Sequence, residues 1–280
     1  MTTKTWVGTD GDWNTAGNWS PTGVPEDDDD IFFVSGSQDV DGLTPTENAF
    51  GRITVGSQYT GDIGSDGDAL TVDCDDFDFG QKNGQTFIDG TIGTATIQNT
   101  SSLNPAVDFQ TSTITTLRIL GGRGAIVLQS GSEVETAIQM IGCSSAILDC
   151  EDGVDLSGAD ITIDSGRMTI RNSPSSITQF GGTIYYIEDT VVTVGTFTMY
   201  GGKCNWKPTG LSTLSNLVMY GGYFNMKDSI APQHKITNST IYSGATLDER
   251  SGLANVLYVN PISMDGGVVL IDTGRSVTIT

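Results

Sequence analysis

Basic side chains and histidine are scarce in this chain of 280 residues. It holds 13 Lys and Arg against 34 Asp and Glu, which gives a formal net charge of −21, and its only histidine is His234. Nucleic acids and anionic membranes are bound through basic surfaces, so this balance predicts that neither is a partner. His234 lies in a Pro-Gln-His-Lys segment with no acid–base partner nearby in sequence, and we interpret it as a turn residue.

Long apolar runs and paired cysteines are missing as well. No run approaches the roughly 18 apolar residues of a membrane-spanning helix, and residues 1–4 lack the apolar core of a secretory signal peptide. The four cysteines, Cys74, Cys143, Cys150 and Cys204, form no CxxC pair. Cys74 and Cys204 take inward positions by alternation, so we expect buried thiols of a protein folded in a reducing cytosol.

What the chain does contain is a recurring glycine corner. Met199-Tyr200-Gly201-Gly202 is followed twenty residues later by Met219-Tyr220-Gly221-Gly222, and similar corners stand upstream and downstream. Each lies between short segments in which apolar and polar residues alternate, which indicates strands rather than helices. A fixed period of this size is typical of a solenoid. We expect positive φ angles at corner glycines such as Gly201, Gly221 and Gly266, since glycine adopts them at low cost.

The connections between these strands are too short to hold a crossover helix. Parallel strands joined in this way must coil around one axis. The sequence therefore predicts an all-β fold, a single right-handed parallel β-helix over residues 31–280. Residues 1–30 differ, since they contain three of the four tryptophans and an acidic run at residues 26–30. We expect them to form a short N-terminal cap whose aromatic rings close the end of the core.

The N-terminal segment also carries a resemblance. It runs from Trp6 through Trp13 and Trp19 to Pro21, and on through Gly23-Val24-Pro25 to Asp30-Ile31-Phe32. It resembles the opening segment of parallel β-helix proteins found in bacterial surface adhesins and in phage virions. Adhesins of this type carry a signal peptide and an anchor, and neither is visible here. The resemblance therefore implies a phage structural protein, made in the host cytoplasm and located on the virion surface.

Several functions are compatible with this resemblance. The leading expectation is a non-enzymatic capsid decoration or cement protein that binds other virion proteins, such as the major capsid protein. The alternatives are a tail fibre or tailspike that binds a receptor such as a host surface glycan, a bacterial adhesin, and a polysaccharide lyase. A tailspike usually has separate attachment and trimerisation domains, and here the β-helix fills nearly everything after residue 30.

An active site or a metal site is not expected. Asp73, Asp75, Asp76 and Asp78 point outward by alternation, but we find no Asp, Lys or Arg at the matching position one coil away, so we interpret them as a solvated acidic face. The segment Asp10-Gly11-Asp12-Trp13-Asn14 imitates half of a calcium-binding loop, yet the required Gly and Glu are replaced by Thr and Pro. We therefore predict no catalytic residue, no cofactor and no metal.

One outward row of side chains is more apolar than a solvated surface requires. The residue before each corner glycine should face outward, and this position is apolar or aromatic in Leu120, Ile141, Tyr200, Tyr220 and Tyr242. Such a row is either a stacked ladder, which parallel coils form by themselves, or a stripe covered by another subunit. The second interpretation predicts a homo-oligomer, most simply a homotrimer.

Two further expectations concern the ends of this row. Phe180 occupies the same position as the tyrosines, but Gln179 breaks the inward apolar pattern, and a bulge could turn Phe180 inside. The C-terminal strand that contains Val277 and Ile279 should be covered by a loop or by a partner subunit, because an open strand edge promotes further pairing.

Overall fold

A computed structural model gives the structure of residues 1–41, 45, 49–98, 102–187, 191–227, 229, 233–250 and 256–271. The chain divides into two compact units, Met1–Val154 and Asp155–Thr280. In each unit the strands form two parallel sheets in which every strand pairs with the equivalent strand of the next coil. Among the described residues, the helical structure is a three-residue 3-10 helix at Ala16–Asn18. The predicted all-β fold, a parallel β-helix, is confirmed.

The described part of the N-terminal unit contains thirteen strands. The first sheet runs in the order β2, β1, β3, β4, β6, β8, β10, β12, and the second in the order β5, β7, β9, β11, β13. The strands of the first sheet are β1 (Thr3–Trp6), β2 (Trp19–Ser20), β3 (Asp30–Gly36), β4 (Ala49–Tyr59), β6 (Asp73–Phe79), β8 (Thr91–Ile97), β10 (Thr113–Leu120) and β12 (Glu133–Ile141). Those of the second sheet are β5 (Leu70–Thr71), β7 (Thr86–Asp89), β9 (Val107–Phe109), β11 (Arg123–Leu128) and β13 (Ser145–Cys150).

The C-terminal unit repeats this arrangement. Its first sheet runs in the order β14, β16, β18, β20, β22, and both β24 and β25 pair with β22. Its second sheet runs in the order β15, β17, β19, β21, β23, β26. The first sheet consists of β14 (Asp160–Ile163), β16 (Ser176–Gln179), β18 (Val192–Met199), β20 (Ser212–Met219), β22 (His234–Tyr242), β24 (Val256–Tyr258) and β25 (Ser263–Asp265). The second consists of β15 (Arg167–Ile170), β17 (Thr183–Tyr186), β19 (Lys203–Trp206), β21 (Gly222–Asn225), β23 (Ala245–Asp248) and β26 (Val268–Leu270).

Alternation along each strand builds the core. In β18 the side chains of Val194, Phe197 and Met199 are buried, and the residues between them face outward. Met199 is in register with Met219, so equivalent inward side chains stack from coil to coil. Each fully buried aliphatic or aromatic side chain stabilises the fold by about 1.5–3 kcal/mol. The period-two pattern of the sequence therefore fixes both the strand and the face that it buries.

The tryptophans of the N-terminal segment form one buried aromatic cluster. Trp6, Trp13 and Trp19 are all buried. The ring centroids of Trp6 and Trp19 are 5.0 Å apart, those of Trp13 and Trp19 are 4.7 Å apart, and all three rings lie within about 6 Å of Phe33. Strand β2 pairs antiparallel with β1, which pairs parallel with β3. The N-terminal cap over residues 1–30 stays a prediction.

The four cysteines are buried and none takes part in a disulfide. Burial raises the pKa of Cys74 to about 12, and neighbouring aspartates add to the shift. Burial also raises the pKa of Cys204 well above its ordinary value. Both side chains point inward as predicted, and they act as small apolar residues.

Asparagine side chains form ladders on the outer surface of the C-terminal unit. The Nδ2 atom of Asn238 donates to Oδ1 of Asn216 at 2.9 Å, and Nδ2 of Asn260 donates to Oδ1 of Asn238 at 2.7 Å. A shorter ladder joins Asn225 to Asn205 at 3.0 Å. In each case the amide of one coil donates to the amide of the coil before it, so the ladders have a direction.

The corner glycines differ from the prediction at two positions. The φ angles at Gly202 and Gly222 are +80° and +85°, whereas Gly201 and Gly221 have no positive φ. The left-handed residue is therefore the second glycine of each pair. At Gly266 the predicted positive φ, +77°, is confirmed.

Both glycines of the pair at Gly221 and Gly222 are nevertheless required, for different reasons. A Cβ at Gly221 would lie 2.6 Å from the carbonyl oxygen of Tyr200, so the coils approach too closely for a side chain. A Cβ at Gly222 would lie 2.8 Å from Cε of Met199, in addition to the strain of its φ angle.

We predict that Gly222→Ala lowers the free energy of unfolding by about 1–3 kcal/mol, because alanine is strained at this φ and its Cβ has no space. Urea denaturation monitored by circular dichroism measures the loss. Gly17→Ala is the control, since a Cβ there has no neighbour within 4 Å and φ is not positive. Equal midpoints for Gly222→Ala and the parent protein would contradict the corner geometry.

Candidate functional site

The most regular feature of the outer surface is an aromatic column in the C-terminal unit. It consists of Phe180, Tyr200, Tyr220 and Tyr242, each of which follows the last inward residue of a strand of the first sheet. Successive ring centroids are 4.9, 4.9 and 4.7 Å apart, and the ring planes differ by only 5–10°. The column arises because β16, β18, β20 and β22 are paired in register, so equivalent side chains overlie one another.

The column exposes ring edges rather than ring faces. Phe180, Tyr200 and Tyr220 are 52%, 48% and 44% exposed. Because the rings are nearly parallel, both faces of Tyr200 and of Tyr220 are covered by their neighbours in the column. The inner rings are therefore unable to stack on a sugar ring, and what they offer to a partner is an apolar edge with a row of hydroxyl groups.

The expectation that Phe180 turns inside is wrong. Phe180 is exposed and stacks on Tyr200, while Gln179 is fully buried in the inward row. The Nε2 atom of Gln179 donates to the carbonyl oxygens of Gly181, Gly182 and Lys203 at 3.1–3.2 Å. The corner backbone thus satisfies the amide nitrogen, whereas the buried Oε1 has no hydrogen-bond partner. The Gly-Gly corner after Phe180, which matches those after Tyr200 and Tyr220, was the signal that favoured the outward position.

Two other predicted interface residues lie in the N-terminal unit. Leu120 and Ile141 are in register on β10 and β12, with Ile141 42% exposed and Leu120 partly buried. They form a small apolar pair of the same kind as the aromatic column. Val277 and Ile279 lie outside the described residues, as does the predicted C-terminal strand that contains them.

The acidic face of the N-terminal unit holds a cation that sequence reasoning missed. The residues Val72, Cys74, Phe77 and Phe79 are buried as predicted, and the aspartates between them face outward. However, Arg52 on β4 is in register with Asp76 on β6. Its guanidinium lies 3.0 Å from the carboxylate of Asp76 and 3.7 Å from that of Asp78. The prediction that no neighbouring coil supplies a matching charge is therefore wrong.

This pairing was available in the sequence. Aligning the inward residues Ile53 and Val55 with Phe77 and Phe79 places Arg52 beside Asp76, at a spacing of 24 residues rather than about twenty. Partial burial raises the pKa of Asp78, although Arg52 opposes the shift. The hydrogen bond and the charge of Asp76 raise the pKa of Arg52, which stays protonated.

Two open clefts flank this cluster, each with a volume of about 380 Å³. The first is lined by three carboxylates, those of Asp28, Asp73 and Asp75. The second is lined by Asp78 together with hydroxyl and amide side chains such as Thr96 and Gln98. Among the described residues, no group of three or more His, Cys, Asp or Glu side chains could hold a metal ion.

The interpretation of His234 as a turn residue is wrong. His234 begins β22 and is 1% exposed. Its Nδ1 lies 2.6 Å from Oγ of Ser212, and its Nε2 lies 2.7 Å from Oγ of Ser229. Trp206 also donates from Nε1 to Oγ of Ser212 at 3.2 Å. Burial lowers the pKa of His234 to about 4, so the imidazole is neutral at pH 7 and completes a polar network inside the core.

A buried ion pair lies in the same unit. The side chain of Asp248 is fully buried, and Arg250 contacts both of its oxygens, with Nε to Oδ1 at 2.9 Å and NH2 to Oδ2 at 2.8 Å. The hydroxyl of Tyr223 donates to the same carboxylate. These hydrogen bonds, chiefly those from Arg250, lower the pKa of Asp248 to about 2, so it is ionised at neutral pH. The arrangement neutralises a buried carboxylate and has no open position for a ligand.

Comparison with known proteins adds no assignment: no protein family, no curated protein and no solved structure matches the chain. No helix in the described part of the chain is long and apolar enough to cross a membrane. The arguments on function therefore start from the aromatic column, the acidic face and the N-terminal segment.

The buried His234 predicts a pH dependence of stability. The imidazole has a pKa of about 4 in the folded protein and about 6.5 in the unfolded chain. Between these values the unfolded state binds more protons, so stability falls as pH falls. We expect His234 to account for a loss of about 2 kcal/mol between pH 7 and pH 5.

Urea denaturation of the parent and of His234→Gln at both pH values measures this contribution, because the carboxylates that also titrate are common to both proteins. The variant is expected to be less stable at pH 7 but to lose less stability on acidification. The same slope with pH in the two proteins would mean that His234 is not neutral and buried.

Proposed function

We propose that this protein is a non-enzymatic structural protein of the phage virion surface, a capsid decoration or cement protein that assembles with other subunits. The observation that carries the proposal is the aromatic column, a continuous row of stacked and partly exposed rings. The tyrosines are held rigid by mutual stacking, so little side-chain entropy is lost when a partner covers them. Contiguous exposed apolar surface of this kind is typical of protein interfaces.

The column favours a protein partner over a small ligand or a sugar. It is convex and continuous, whereas ligand sites are concave, and its inner ring faces are already covered. A homo-oligomer, most simply a homotrimer, is the arrangement we propose, with Leu120 and Ile141 as a second apolar contact. The position on a virion rests on the resemblance of the tryptophan-rich N-terminal segment, and the major capsid protein is the proposed anchor.

A second candidate function is binding or cleavage of a polysaccharide. The observation that favours it is the cluster of Arg52, Asp76 and Asp78 beside two open clefts. A pair of carboxylates can act as acid and base in glycoside chemistry. However, Arg52 lies within 4 Å of both carboxylates, and a paired cation holds carboxylates ionised. We therefore rank cleavage below the structural role.

The location of the protein is tested directly on particles. Virus particles purified from cultures that produce this chain would be labelled with antibodies against it and imaged by cryo-electron microscopy. The proposal expects regularly spaced label on the capsid. Label confined to the tail would favour the receptor-binding alternative, and absence of the chain from purified particles would overturn the virion assignment.

We predict that Tyr200→Ser/Tyr220→Ser dissociates the oligomer. The double variant removes two rings and leaves the remaining column discontinuous. Light scattering at micromolar protein concentration is expected to give an oligomeric mass for the parent and a monomeric mass for the variant.

The matched control is Thr198→Ser/Val218→Ser, which changes the outward row two residues before the tyrosines. This control should keep the parent mass. A monomeric parent protein, or loss of assembly in the control as well, would contradict the assignment of the column as the contact surface.

We also predict that the purified protein does not depolymerise host capsule or lipopolysaccharide. Release of reducing ends above that of a heat-inactivated sample would contradict a purely structural role. If such activity appeared and Asp78→Asn abolished it while Asp149→Asn did not, the polysaccharide candidate would replace the structural one.

A further inference from the structure

The negative charge of the chain is concentrated in one of its two units. Residues 1–154 contain five Lys and Arg against 24 Asp and Glu, a net charge of −19. Residues 155–280 contain eight against ten, a net charge of −2. The two units are therefore electrostatically different surfaces, although the chain as a whole is acidic.

Within the C-terminal unit, cations gather on the second sheet. We define the basic face as Arg167, Lys203, Lys207 and Lys227. Arg167 and Lys203 occupy the same outward position two coils apart, through the register that joins each of them to Thr183. Lys207 follows β19 and Lys227 follows β21, at equivalent positions one coil apart. The basic face therefore extends over at least two coils and is larger than a chance pair of lysines.

The strands that carry the basic face supply no negative charge of their own. The outward positions of β15, β17, β19 and β21 hold no carboxylate; besides the cations they carry hydroxyl and amide side chains. None of the four cations forms an ion pair with another described residue, and the contact recorded for Lys203 is with the ring of Tyr223, at 6.0 Å from the centroid. Charges left unpaired on a structured surface are available to a partner of opposite sign.

The N-terminal unit offers the complementary surface. Its acidic face carries Asp73, Asp75, Asp76 and Asp78, with Arg52 as the cation in contact with them. The two clefts of about 380 Å³ on this face are lined by carboxylates, with Asp75 in one and Asp78 in the other. Each cleft is open and has room for the end of a lysine or arginine side chain.

We propose that the basic face of one copy docks on the acidic face of a second copy. At physiological ionic strength the Debye length is about 8 Å, so the charges that face each other decide the contact rather than the net charge of the chain. Two N-terminal units repel each other, whereas a basic face opposite an acidic face attracts. Charge therefore selects a contact between the C-terminal unit of one copy and the N-terminal unit of the other.

This contact is distinct from the aromatic column. Salt screens the attraction between charged faces, while it does not weaken burial of apolar rings. The inference does not depend on a location in a virion, and the two contacts are separated by raising the salt concentration.

The experiment is a charge swap. The basic-face variant is Lys203→Glu/Lys207→Glu/Lys227→Glu, and the acidic-face variant is Asp75→Lys/Asp78→Lys. The control, Lys82→Glu/Arg123→Glu/Lys235→Glu, changes net charge by the same amount as the basic-face variant at exposed cations outside both faces. Circular dichroism confirms that each variant is folded, and sedimentation velocity at 0.15 and 0.5 M NaCl measures association.

We expect the parent to show an association that weakens by at least about tenfold between the two salt concentrations. Each face variant alone should lose this salt-sensitive association, the control should keep it, and mixing the two face variants should restore it as a mixed complex. Equal loss in the control, or no complex in the mixture, would overturn the proposal. So would binding of a sulfated polysaccharide to the basic face with no association between copies, since the partner would then be an anionic polymer.

Discussion

Backbone pairing between successive parallel coils is the constraint on which the rest of each unit depends. Neighbouring strands lie about 4.8 Å apart, so every side chain overlies the equivalent side chain of the next coil. A residue type is therefore chosen for a whole row: methionine and isoleucine inward, asparagine in the amide ladders, tyrosine in the aromatic column. A row tolerates an exception such as Gln179, whose amide nitrogen donates to corner carbonyls while its Oε1 stays without a partner. The same geometry brings four aromatic rings within stacking distance without any further design.

This constraint explains how much of the fold could be predicted. The alternation within strands and the period of the corners can be read directly from the order of residues. They therefore indicated the parallel β-helix, the buried cysteines and the aromatic cluster of the N-terminal segment. Features that depend on register between coils were missed. Arg52 meets Asp76 because the coils of the N-terminal unit have unequal lengths, and a uniform spacing hides the pair. His234 lies two residues after a proline and precedes a lysine, which resembles a turn, but pairing with Ser212 places it at the start of a buried strand. At Gly201-Gly202 and Gly221-Gly222 the second glycine takes the positive φ, and both glycines of each pair lie too close to the preceding coil for a side chain.

The candidate surfaces also differ in how far the sequence predicted them. The aromatic column needs only local repetition, and the sequence indicated three of its four members. The division of charge is a property of whole units rather than of any motif, and it becomes visible when the two halves of the chain are counted separately. An apolar row and a pair of oppositely charged faces have complementary roles, since burial of rings supplies affinity and charge selects orientation. Both features favour the proposed role in assembly with other subunits.

The direction of the asparagine ladders has a consequence for biosynthesis. Asn238 donates to the amide of the preceding coil, and Asn260 donates to Asn238 in turn. In these two contacts the acceptor lies on the coil that the ribosome delivers first. The tryptophan cluster lies at the start of the chain, so the first coil has a finished core against which to form. Contacts between adjacent coils join residues only about 16–24 positions apart, and such short loops close at low entropic cost. The fold can therefore be completed progressively during translation, one coil on the template of the last.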